Sequence, residues 1–151
     1  MRRTWIRTDR IAGSFEQGSM SHEELILLIE NDLDIADMYR MGLNQSGYPV
    51  RVATSPGSAV SQVNEPGTPP RLIVLDLELP LVSGLDVLNV LRTTPSTSDV
   101  PVIVLADDSD AFAEAYRRGA TECHPKYRTT PSKLVDYISA ALNEDRRRRS
   151  A

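Results

Sequence analysis

Arg71–Pro80 reads RLIVLDLELP, an unbroken apolar run that ends on one carboxylate, Asp76, with a second acid two residues on and a proline closing it. Burying an ionised carboxylate costs several kcal/mol unless it is paired or coordinated. Asp76 therefore either marks where a strand emerges into water or is held there for chemistry. Its neighbours decide between the two. Four further apolar runs flank this one at fairly even spacing: Leu25–Ile29, Tyr48–Ala53, Val100–Ala106 and the weaker Ala120–His124. Three of the five are continuous rather than alternating, the pattern of strands covered on both faces.

Segments of helical length and period lie between them. Ile35, Met38, Tyr39 and Leu43 follow the i, i+3, i+4 spacing of an amphipathic helix, and Gly47 stops it. Pro56–Val63 predicts a short second helix, Val87, Leu88 and Leu91 a third preceded by Ser83 and Gly84, and Ala111, Ala115 and Arg118 a fourth ending at Gly119. Leu134, Val135, Ile138 and Leu142 define a fifth that starts at Pro131. Strand alternating with helix five times argues an α/β fold: a doubly wound, five-stranded parallel sheet with helices on both faces.

In such sheets the chemistry gathers at the carboxyl ends of the strands. Glu30, Asn31 and Asp32 follow the first run, Asp76 ends the third, Ala106 and Asp107 end the fourth, and Lys126 follows the fifth. Carboxylates from two strand ends and a lysine from another thus converge on one pocket.

The bulk properties exclude several classes. A single cysteine, Cys123, rules out an internal disulfide framework and fits a reducing cytosol, and two histidines with one cysteine make a zinc site improbable. The formal net charge is only -4, so no strong field draws the molecule to nucleic acid or anionic lipid. No stretch approaches the roughly 20 apolar residues that span a bilayer. Residues 1–21, basic and without an apolar core, are set aside as an N-terminal extension rather than a signal peptide. The domain is placed at 22–144, with 145–151 as a basic C-terminal tail carrying Arg146–Arg149.

LIVLDLELPLVSGLDVL, with Pro80 four residues and Gly84 eight residues after Asp76, closely resembles the receiver domain of two-component response regulators, a flavodoxin-like (βα)5 family of the CheY type. The resemblance runs from about Glu24 to Leu142. It implies that Asp76 accepts a phosphoryl group from a histidine kinase or phosphotransfer protein. It implies that Mg2+ is held by the pair Glu30–Asn31, by Asp76 and by the backbone carbonyl of Glu78, and that Lys126 binds a phosphoryl oxygen.

The chain departs from the family at four places. Asn31 stands for a carboxylate, which weakens Mg2+ binding. Ala106 replaces a Ser/Thr, Cys123 occupies the aromatic switch position, and Tyr127 follows the lysine where proline is usual. A hydrogen bond to a charged group is worth roughly 1.5–3 kcal/mol, against about 5.5 kcal/mol to drive a two-state switch from end to end. Losing the hydroxyl therefore takes away something like half of the lever.

Two functions follow from this reading. One is a stand-alone cytoplasmic receiver, not an enzyme, that signals to a downstream protein target or a second copy of itself, with no effector domain for nucleic acid. The other is a pseudo-receiver, an interaction module independent of phosphorylation. A haloacid dehalogenase would need a second aspartate where Glu78 stands, and the acidic ENDLD loop repels the phosphate of a flavodoxin-like cofactor.

Overall fold

The computed structural model describes residues 24–150; the N-terminal extension assigned to 1–21 lies outside them. Five strands and five helices alternate: β1 (Ile26–Ile29), α1 (Leu33–Gln45), β2 (Val50–Ala53), α2 (Pro56–Asn64), β3 (Leu72–Asp76), α3 (Gly84–Thr93), β4 (Val102–Ala106), α4 (Asp110–Arg117), β5 (Glu122–Pro125) and α5 (Pro131–Ser150). A 3-10 turn, Lys126–Arg128, joins the last two. The strands form one all-parallel sheet in the order β2-β1-β3-β4-β5. This is the doubly wound α/β arrangement expected from the apolar runs.

The unbroken runs follow from burial on two sides. Along β1, Leu27 and Ile29 pack into one core with Ala59 and Val63 of α2, Val87, Leu88 and Leu91 of α3 and Ala115 of α4. Ile26 and Leu28 face the other core, with Tyr39 and Leu43 of α1 and Leu134, Ile138 and Leu142 of α5. Each Val, Leu or Ile among them contributes on the order of 1.5–3 kcal/mol when fully buried.

Local signals set the helix ends. Ser55 Oγ accepts from the Ser58 N–H with Pro56 at the first helical position, and Ser83 Oγ accepts from the Leu85 N–H. Gly47 ends α1 at φ 93°, where the Ser46 and Gly47 amides close on the carbonyls of Leu43 and Asn44. Gly84 serves a different need: a Cβ there would sit 2.5 Å from Leu77 Cα, so only hydrogen lets the start of α3 lie against the loop after β3.

The basic segment 145–151 is not a tail up to Ser150; it forms the last turns of α5. Asp145 explains the extension. It is buried, and it accepts from Arg148 at 3.1 Å and Arg149 at 2.8 Å, with Arg71 at the start of β3 at 4.0 Å. Arg146 pairs with Glu24 and Arg147 with Glu144. The four arginines are thus engaged with acids of the same domain.

Candidate functional site

Asp76 is the last residue of β3, in the middle of the sheet, and its side chain is only 1% exposed. Lys126 arrives from the edge. β5 runs one residue further than its apolar pattern suggests, to Pro125, so Lys126 follows the strand directly. The turn that carries it is pinned twice: the buried Tyr39 hydroxyl of α1 donates to the Thr129 carbonyl at 2.7 Å, and Thr129 Oγ1 donates to the Pro125 carbonyl at 2.8 Å. Lys126 Nζ then donates to Asp76 Oδ2 at 2.8 Å and lies 3.2 Å from Glu30 Oε1.

Glu30 follows β1 and is as deeply buried as Asp76. Its Oε2 also accepts from the Asp32 N–H at 3.1 Å. Burial pushes its carboxyl up from 4.5 to about 7; the Asp32 amide opposes this, the nearby Asp76 charge adds to it, and Lys126 offsets part. Lys126 itself is raised on balance: burial lowers it, but the bond to Asp76 and the charges of Asp76 and Glu30 outweigh that. Two buried carboxyls share one ammonium, so once Glu30 ionises the site carries surplus negative charge.

The sequence reading takes Glu30–Asn31 as the acidic pair and leaves Asp32, the next acid, outside it. The structure commits it elsewhere, because Asp32 Oδ1 caps α1 by accepting from the Asp34 and Ile35 amides at 3.0 and 3.2 Å. Asn31 lies exposed between the two acids. The donor set fits Mg2+: Asp76 and Glu30 oxygens, an amide oxygen at Asn31 and the carbonyl of Glu78 are all hard oxygen donors, and the buried surplus charge calls for a cation. Among the described residues no three Asp, Glu, His or Cys side chains are grouped to hold a metal, so water would complete the shell of an ion held here.

Ala106, at the end of β4 and 2% exposed, presents a methyl group toward this end of the sheet and no hydroxyl. Cys123 is a core residue, its thiol pushed up to about 11 by burial. The nearby aromatics belong to α4 instead: the Tyr116 hydroxyl accepts from the Cys123 N–H at 3.0 Å, and Phe112 packs against the same core. His124 stacks on Tyr137 of α5 with ring centroids 3.7 Å apart, and Tyr127 points into solvent.

Sequence reasoning therefore brings together Glu30, Asp76 and Lys126, which the structure places in direct contact. It missed the part played by Asp107, although its place beside Ala106 was a signal. The Asp107 N–H donates to Glu78 Oε2 at 3.2 Å, and its Oδ1 is one of two buried side-chain acceptors without a partner among the described residues. Partial desolvation raises the Glu78 carboxyl, with the Asp107 and Asp76 carboxyls adding to it and the Asp107 amide opposing. Tyr39 and Thr129, the supports of Lys126, carry no motif at all.

A carboxylate at a strand end, a lysine bonded to it and a second acid beside them form an oxygen-rich, cation-seeking pocket at the carboxyl edge of a (βα)5 sheet. The family model for the response regulator receiver domain matches residues 26–139. The chain belongs to that family. Among curated proteins it is 35% identical over 120 residues to the phosphate regulon transcriptional regulatory protein PhoB of Klebsiella pneumoniae, covering 78% of this chain and 51% of that one. It is 33% identical over 129 residues to the transcriptional regulatory protein KdpE of Mycobacterium tuberculosis, covering 84% and 53%. The chain thus spans about half the length of these relatives.

Among solved structures, a receiver domain protein from Clostridium thermocellum superposes with a TM-score of 0.73 at 26% identity, covering 82% of this chain and 97% of that one. A CheY-like receiver domain from Methanospirillum hungatei gives 0.74 at 20% identity, covering 83% and 98%, a likeness of fold. Receiver domains are signalling phosphoacceptors. Among the described residues, no helix is long and apolar enough to cross a membrane.

Proposed function

We propose that this domain accepts a phosphoryl group on Asp76 from a histidine kinase or phosphotransfer protein, in the cytoplasm, and passes the signal on by protein contact. The observation that carries the reading is the 2.8 Å bond from Lys126 Nζ to Asp76 Oδ2 beside the buried Glu30. An Asp76 oxygen attacks phosphorus, the donor's bond to phosphorus breaks, and the electron pair leaves with the donor. Such transfer needs positioning and charge neutralisation more than covalent help. Lys126 holds the carboxylate in place and is available to a phosphoryl oxygen as a point charge. Mg2+, held by Asp76, Glu30, Asn31 and the Glu78 carbonyl, would neutralise the charge that the phosphoryl group adds.

An apolar cleft of about 250 Å3 opens beside Lys126, lined by Ile35, Met38, Tyr127 and Pro131. Its place next to the acceptor suits the partner that delivers the phosphoryl group. Output runs through the face of α4, β5 and α5. Here the usual hydroxyl and aromatic ring are replaced by Ala106 and Cys123, so the change that reaches α4 is small.

That replacement supports a second reading, a pseudo-receiver whose contacts do not depend on phosphorylation. Incubation with Mg2+ and a small phosphodonor separates the two. Acceptance predicts an intact-mass gain of one phosphoryl group that Asp76→Ala abolishes. No gain in the wild-type protein at millimolar Mg2+ establishes the pseudo-receiver instead.

A further inference from the structure

β3 and β4 part company immediately after the acceptor. The last rung between them is the Leu77 N–H to the Leu105 carbonyl at 3.0 Å. The next acceptor on the β3 side, the Leu77 carbonyl, turns away to take the Gly84 N–H at 3.3 Å, drawn there by the close approach that Gly84 permits. The next donor on the β4 side, the Asp107 N–H, is left without a rung. It lies at the carboxyl edge of the sheet, next to the acceptor and one residue past the alanine that lacks a hydroxyl. A donor so placed is suited to an oxygen of a group bound to Asp76.

The chain fills that donor itself. Glu78, whose own N–H donates to Asp76 Oδ1 at 2.9 Å, turns its carboxylate back so that Oε2 accepts from the Asp107 N–H at 3.2 Å. We propose that Glu78 is an internal latch: its carboxylate holds the Asp107 amide in place of an incoming phosphoryl oxygen and must swing into solvent before Asp76 is modified. The latch rests on the phosphoacceptor reading above and makes Glu78 a gating residue rather than a catalytic one. Its geometry suits a gate, because the Glu78 side chain is exposed and opens without unpacking the core. Like charge reinforces it, since a phosphoryl group arriving while the latch is shut meets a carboxylate at the Asp107 amide.

Two variants and two measurements test this. Glu78→Met keeps the length of the side chain but carries no charge and only a weak sulfur acceptor; Glu78→Gln keeps a neutral oxygen acceptor. With a small phosphodonor and Mg2+, the initial rate of Asp76 labelling is expected to rise about fivefold in Glu78→Met, the scale of one partly exposed charged hydrogen bond, and less in Glu78→Gln. Without donor or metal, the Asp107 amide proton is expected to move upfield by NMR and exchange faster with solvent in Glu78→Met, with Glu78→Gln between. Equal or slower labelling in Glu78→Met, or an Asp107 amide indifferent to both substitutions, overturns the latch while leaving the acceptor reading intact. Absence of labelling in wild type and both variants overturns the acceptor reading, and the gate on it falls as well.

Discussion

Replacing Glu30 by glutamine isolates the electrostatic cost built into the site. Glu30 and Asp76 are each 1% exposed, and Lys126 is the one ammonium between them. The folded protein holds a proton on Glu30 up to about pH 7, whereas the unfolded chain releases it near 4.5. That gap corresponds to about 3 kcal/mol. The direction follows from proton counting: the folded state binds more protons in this window, so the stability tied to the protonated carboxyl is complete below 4.5 and lost as pH rises through about 7. Glutamine does not titrate, and it still offers an acceptor to the Asp32 amide. The stability of Glu30→Gln relative to wild type is therefore expected to climb by on the order of 2–3 kcal/mol between about pH 5 and pH 8. Urea unfolding followed by far-ultraviolet circular dichroism, in EDTA at several pH values, measures it. Groups remote from the site are common to the two proteins, so their difference reports Glu30 together with the Asp76 and Lys126 charges it is coupled to. Parallel curves across the range would refute the argument that a surplus buried carboxylate strains the site.

Gly84→Ala sets a Cβ 2.5 Å from Leu77 Cα and 2.7 Å from its carbonyl oxygen, backbone that cannot step aside, and is expected to cost about 1–3 kcal/mol in a thermal melt. Asp145→Ala leaves Arg71, Arg148 and Arg149 without their shared acceptor; amide exchange is expected to show residues 146–150 fraying while the rest of α5 stays protected. Asn31→Asp adds a charge to the oxygen donors beside Asp76 and is expected to tighten Mg2+ binding by calorimetry. Unchanged affinity would mean that the acidic pair does not begin at Glu30.

The sheet was legible because its strands are buried on both faces, which writes itself as LIVLD and VIVLA, and because Gly47, Pro56, Ser83 and Pro131 sit where helix ends require them. Glu30, Asp76 and Lys126 were legible through their common place after strands. The remainder depends on contacts between residues distant in sequence. Nothing in NEDRRRRS shows that Asp145 will be buried under three arginines, so a helix end reads as a tail. Nothing in PLVS announces that Leu81 takes φ 71°, a left-handed conformation leucine rarely adopts, to return the chain from the acceptor to α3. A strand limit at His124 followed from hydrophobicity, whereas the ladder to β4 carries it to Pro125, paired with Ala106.

The hydroxyl of Tyr116 on the Cys123 amide has a bearing on how copies of the domain meet. β5 is a boundary strand four residues long, the kind of rim on which a stray peptide can zip and seed fibrils. A phenol already occupies one of its few main-chain donors, and the helix bearing that phenol lies across the approach. A growing cross-strand stack on this rim would first have to displace that phenol from the Cys123 amide.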